Sequence, residues 1–158
     1  MNRIRTGVTV LTTTGLLTAA QLGLPQAASA QQPTAQSSNC PLAIMYPSRF
    51  SVDTHGWVTG GGLYFGIKNK STTRSFTKVT FTVTNVKNIR FGSAKAKGGR
   101  IGHKTSRTVS VRTTTLKKKA SLGVTVRTRL LDTRTYKARF TLTGNGWNCA
   151  VDQGTWGS

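Results

Sequence analysis

Residues 124–140, VTVRTRLLDTRTYKARF, set cations at alternate positions on both sides of a short polar turn. Folded as a hairpin, the segment places Arg127 opposite Arg139 and Arg129 opposite Lys137. Like charges facing one another across a ladder destabilise it, so the pattern predicts a ligand that relieves the repulsion. Arginine forks suit the oxygens of phosphate and sulfate. Parity agrees with the pairing: Val126 with Phe140, and Leu130 with Tyr136, share the core side, which leaves the cations on the other. Arg112 has the outward parity of the preceding strand and extends the stripe. The competing reading is edge protection, in which Lys or Arg discourages sheet-to-sheet aggregation. That accounts for one or two cations on an edge, but not for matched ones on both strands without a carboxylate beside them.

A second basic stretch, GSAKAKGGRIGHKTSR (92–107), carries Lys95, Lys97, Arg100, Lys104 and Arg107 among four glycines. It is expected as a mobile loop whose side chains and N–H groups mould around phosphates. The spacing of a P-loop is absent, and the plainer reading is a solvated loop. Lys117-Lys118-Lys119 adds a third basic site in a turn.

Catalytic chemistry has little to work with. The acids are Asp53, Asp132 and Asp152, with no glutamate, and paired-carboxylate hydrolysis needs two across one cleft. Asp132 falls where turn chemistry alone would place an aspartate. Asp53 and His55 are too few to ligate a metal. His55 and His103 could act as the acid and base of a secreted nuclease, though nothing in their spacing brings them together. No enzyme activity, cofactor or metal is expected. Phe65, Phe81, Tyr136 and Phe140 take the inward parity, leaving Trp57, Tyr64 and Trp156 as the exposed aromatic candidates. Charge rather than base recognition is therefore the expectation.

The first thirty residues set the compartment. Arg3 and Arg5 form a positive start, Val8 to Leu24 a mostly apolar run, and Ala28-Ser29-Ala30 a cleavage site. Threonines, Gln21 and Pro25 interrupt the run too often for a membrane anchor, and Ser37-Ser38-Asn39 before Cys40 is not a lipoprotein processing site. Cleavage after Ala30 leaves 128 of the 158 residues, with 21 of the 23 Lys and Arg against three Asp, a net charge of +18. A surface so one-sided favours polyanionic partners. The two cysteines, Cys40 and Cys149, are expected to form a disulfide in an oxidising compartment. The C-terminal VDQGTWGS has no apolar tail, so the mature chain is expected to be extracellular, either released or held non-covalently on the cell wall.

Residues 31–39 read as a polar linker, and beyond them the signal has period two. Leu63, Phe65 and Ile67 alternate with polar or small residues, as do Val79, Phe81 and Val83, then Val109 and Val111. The same holds for Leu122, Val124 and Val126, and for Tyr136, Ala138, Phe140 and Leu142; Trp147, Cys149 and Val151 form a last short run. Each is a half-buried strand. The alternation stumbles at Asn85-Val86, which predicts a bulge or bend. Six or seven short antiparallel strands without a sustained helical period predict a β-sandwich over 40–158.

LYFGIKNKSTTRSFTKVTFTV (63–83), TLKKKASLGVTVRTRL with YKARFTLTG (115–144), and GNGWNC (144–149) resemble bacterial extracellular immunoglobulin-like repeat domains. Where those domains carry glycine in the turn near residue 117, this chain has Lys117-Lys118-Lys119. The resemblance implies an immunoglobulin-like sandwich with adhesive or spacer roles, and no catalytic residue. The sequence thus predicts a secreted, disulfide-closed, all-β protein that binds anionic cell-envelope polymers or lipid headgroups, with nucleic acid as a non-specific partner. A cationic antimicrobial effector and a small nuclease are the alternatives.

Overall fold

The computed structural model describes residues 40–47, 49–132 and 136–156, with backbone alone from 149 onward. The expected signal peptide (1–30) and linker (31–39) lie outside the described residues. Nine strands form: β1 (Ala43–Met45), β2 (Leu63–Lys68), β3 (Phe76–Lys87), β4 (Ile89–Lys97), β5 (Arg100–Lys104), β6 (Thr108–Leu116), β7 (Ser121–Leu130), β8 (Tyr136–Gly144) and β9 (Trp147–Trp156). They make two antiparallel sheets, β1-β2-β7-β4 and β5-β6-β3-β8-β9.

Alternation explains the core. Leu63, Phe65 and Ile67 of β2, Val79, Phe81 and Val83 of β3, Leu122, Val124 and Val126 of β7, and Ala138, Phe140 and Leu142 of β8 are all buried. Phe140 joins the two layers: its ring centroid lies 5.6 Å from Phe65 in the first sheet and 5.7 Å from Phe81 in its own. Burial of each such ring contributes about 1.5–3 kcal/mol. The irregularity at Asn85-Val86 is a register shift between β3 and β8, at Asn85/Lys87. Just beyond it Asn88 takes a positive φ of 57°, and the chain leaves one sheet for the other.

Two expectations are corrected here. Residues 124–140 do not form a hairpin. β7 pairs with β2 and β4, whereas β8 pairs with β3 and β9 in the opposite sheet, so Arg127 and Arg129 face neither Arg139 nor Lys137. Residues 92–107 are not a basic loop either, because most of them belong to β4 and β5. Gly98 and Gly99 form the corner between the sheets. A Cβ at Gly98, whose φ is +75°, would lie 2.2 Å from the Ser121 carbonyl oxygen, and one at Gly99 would lie 2.5 Å from that of Arg112. Only glycine permits so close an approach of backbone to backbone.

The basic turn after β6 is anchored by a residue that strand patterning does not single out. Asn69 is fully buried. Its Nδ2 donates to the carbonyls of Arg74 (2.8 Å) and Lys117 (3.1 Å), and its Oδ1 accepts the Ser71 N–H at 3.0 Å. Its own N–H reaches the Ala120 carbonyl at 2.9 Å. The side chain therefore ties the 69–74 crossover to the Lys117–Lys119 turn, in which Lys119 has φ 61°. Replacing Asn69 with alanine removes the donor to these part-buried carbonyls and the acceptor for Ser71 N–H, and is expected to lower stability by about 1–3 kcal/mol. Urea denaturation checks this; a loss below about 0.5 kcal/mol would mean the turn holds without Asn69.

Candidate functional site

Cations do face cations across the ladders, but with partners other than those a hairpin would supply. In the first sheet Arg90 of β4 stands opposite Arg129 of β7. In the second, Arg100 of β5 stands opposite Arg112 of β6, and Lys87 of β3 opposite Lys137 of β8. Arg139 instead has Thr84 on one side and Asp152 on the other. The expected cations are thus spread over two outer faces and the sandwich ends. Lys95 and Lys97 lie with Arg127 and Arg129 on the first sheet. Arg100, Lys104, Arg112, Lys137 and Arg139 belong to the second. Arg107 sits in the β5–β6 turn, where its N–H donates to Thr105 Oγ1 at 3.1 Å, and Lys117, Lys118 and Lys119 are exposed at the Asn69-anchored turn.

On the second sheet a hollow of about 200 Å³ is lined by Lys78, Arg100 and Arg112 together with Thr80, Thr113 and Thr114. Lys78 has a positive φ of 51°, a costly conformation for a residue with a Cβ. Three cations and several hydroxyls around one hollow suit an oxyanion. Strand patterning gives Lys78 the polar side of β3, but nothing local to it tells that β5 and β6 bring Arg100 and Arg112 to the same hollow.

The first sheet carries its own aromatic residues. The segment between β1 and β2 pairs antiparallel beside the end of β7: Val58 N–H donates to the Thr128 carbonyl at 2.9 Å, Leu130 N–H to that of Gly56 at 2.8 Å, and Trp57 bridges to Arg129. Asp53 organises the turn, its Oδ1 accepting the N–H groups of His55 and Trp57, both at 2.9 Å. The Trp57 N–H is the main reason the Asp53 carboxyl is held below its ordinary pKa, with the His55 N–H and the His55 and Arg127 charges acting in the same direction. Arg129 Nε donates to the His55 carbonyl at 3.0 Å. The result is a Trp57 ring with the Arg127 guanidinium 4.4 Å and that of Arg129 5.9 Å from its centroid.

Farther along the same face, Gly66 of β2 is paired with Gly123 of β7, and Tyr64 lies down across both. A Cβ at either glycine would come within 2.6 Å of the Tyr64 hydroxyl oxygen. Lys97, opposite Gly123, brings its Nζ to 6.0 Å from the Tyr64 ring centroid. Neither Trp57 nor Tyr64 is buried. Of the three candidate exposed aromatics, these two share a face with the cations; the Trp156 side chain lies outside the described residues.

His55 is in the turn above β7 and His103 is in β5 of the other sheet, opposite Ser110. Asp53, His55 and Asp132 border one open cavity of about 460 Å³ beside Arg129, with one oxygen of Asp53 committed to the turn. Among the described residues no cysteine is free and no helix is long and apolar enough to cross a membrane. The Cys149 side chain lies outside them. No protein-family model matches the chain, and no curated protein sequence matches it.

Proposed function

We propose that this chain is an exported, immunoglobulin-like β-sandwich that binds anionic polymers of the cell envelope through charge. The observation that carries the reading is the set of three like-charge rungs, Arg90–Arg129, Arg100–Arg112 and Lys87–Lys137. Each costs stability in the free protein, and a polyanion laid across them converts the repulsion into attraction. Edge protection accounts for Arg90 and Arg100, which stand on the edge strands β4 and β5, but not for Arg129, Arg112 and both members of the Lys87–Lys137 rung, which stand on the interior strands β7, β6, β3 and β8.

Strand order supports the immunoglobulin-like part. The order β1-β2-β7-β4 matches A-B-E-D and β3-β8-β9 matches C-F-G of a constant-type domain. β5 and β6, inserted between the D- and E-like strands, extend the second sheet beyond its C-like strand.

The test uses one double variant, Arg90→Thr with Arg100→Thr, which removes one cation from each arginine rung and leaves the Arg129–His55 hydrogen bond in place. Cosedimentation with whole walls is expected to weaken, while stability stays the same or rises by a few tenths of a kcal/mol per relieved pair. Wild-type protein should lose its binding to walls stripped of phosphate polymers. Equal sedimentation of variant and wild type, or undiminished binding to stripped walls, would overturn the proposal.

A further inference from the structure

We infer that the outer face of the β1-β2-β7-β4 sheet is a platform for single-stranded nucleic acid, recognising bases as well as phosphates. The inference rests on the polyanion reading for its charge, and on the placement of two aromatic rings for the rest. A ligand recognised by charge alone has no use for Trp57 and Tyr64 among the cations. Trp57 lies opposite Arg129 and Tyr64 opposite Thr125, four positions apart along β7, or about 13 Å. Tyr64 rests on the bare backbone of Gly66 and Gly123, so its ring lies low over the sheet. A side chain at either glycine would lift it.

The cations flank these rings at the strand period. Lys95 and Lys97 on β4, and Arg127 and Arg129 on β7, are same-side neighbours about 7 Å apart, close to the separation of successive phosphates in an extended strand. Arg127, stacked on Trp57 at 4.4 Å, presents a second planar surface on which a base can lie. Cations that track the backbone, with aromatic rings among them that stack bases without regard to sequence, are what single-strand binding requires. A four-stranded sheet is a known support for such stacking. Duplex DNA is disfavoured, since its bases are already stacked.

Fluorescence anisotropy with four probes tests this: a labelled oligothymidylate, an abasic strand of the same length, inorganic polyphosphate and polygalacturonate. On the unsubstituted mature protein, the oligothymidylate is expected to bind at least about fivefold more tightly than the abasic strand. Tyr64→Ala should weaken oligothymidylate binding by between about 5-fold and about 150-fold while leaving polyphosphate binding within twofold, and Tyr64→Phe should retain it. Equal affinity for the oligothymidylate and abasic strands would overturn the inference while leaving charge-driven binding intact. Failure of every polyanion to bind would remove the charge reading as well. If Tyr64→Ala weakens binding to polygalacturonate as much as to oligothymidylate, the rings recognise sugars and the assignment to nucleic acid falls.

Discussion

Raising the salt concentration from about 50 to about 200 mM is expected to weaken binding of the mature protein to a flexible polyanion by several hundred-fold. Cations that neutralise phosphates release condensed counterions, and log affinity then falls linearly with log salt, by about 0.7 per phosphate engaged on a single strand. One outer face offers six cations that can act together: Lys68, Arg90, Lys95, Lys97, Arg127 and Arg129. Six contacts predict a slope of about −4. The second sheet, with its Lys78–Arg100–Arg112 hollow, can add to this only for a polymer long enough to reach both faces. The slope should therefore steepen with polymer length until both faces are occupied. Titrations of polyphosphate fractions at four salt concentrations measure it. Affinity that stays flat with salt would point to a neutral ligand and remove charge as the basis of binding.

The second large effect concerns the cysteines. Cys40 packs against the core just before β1, at the edge of the first sheet, while the Cys149 backbone stands opposite Leu142 in β9, at the edge of the second. A Cys40–Cys149 bridge would join the sheets along this open side of the sandwich. Nearby, Tyr46 stacks on Phe140 at 6.0 Å and Phe50 meets Tyr136 at 5.5 Å. Closing a loop of about a hundred residues is worth roughly 4–5 kcal/mol in the chain-entropy model. That is a large part of the stability of an ordinary domain, about 5–15 kcal/mol. Replacing both cysteines with serine is expected to lower Tm by on the order of 15 °C without altering the salt dependence of binding. Non-reducing mass spectrometry of exported protein should give a mass two hydrogens below that of the dithiol. Two free thiols in that measurement would refute the bridge.

That β2, β3, β6, β7 and β8 are strands, and which of their side chains face inward, was determined by the sequence alone, whereas β1, β4 and β5 were not. Leu63, Phe65, Ile67, Val79, Phe81 and Val83 are buried where alternation places them, because a half-buried strand imposes its period on each local stretch. The break at Asn85-Val86 was legible for the same reason. β4 could also have been read from Ser93-Ala94-Lys95-Ala96-Lys97, but its inward residues are alanines, too small to stand out beside the lysines and glycines. Pairing was decided only by the tertiary structure. Parity says that Arg127 and Arg129 face outward; it cannot say which strand lies beside them. A short connection such as the one that follows Leu130 joins two strands of one sheet or carries the chain across to the other with the same local sequence. Here the strands cross, and Arg129 meets Arg90, thirty-nine residues earlier, rather than Lys137. Trp57 is the extreme case. It lies in a segment without alternation, and it reaches the basic face only because an Asp53-organised turn adds to the end of β7. Contacts between residues far apart in the chain depend on how the sheets close over a shared core, and no local pattern encodes that.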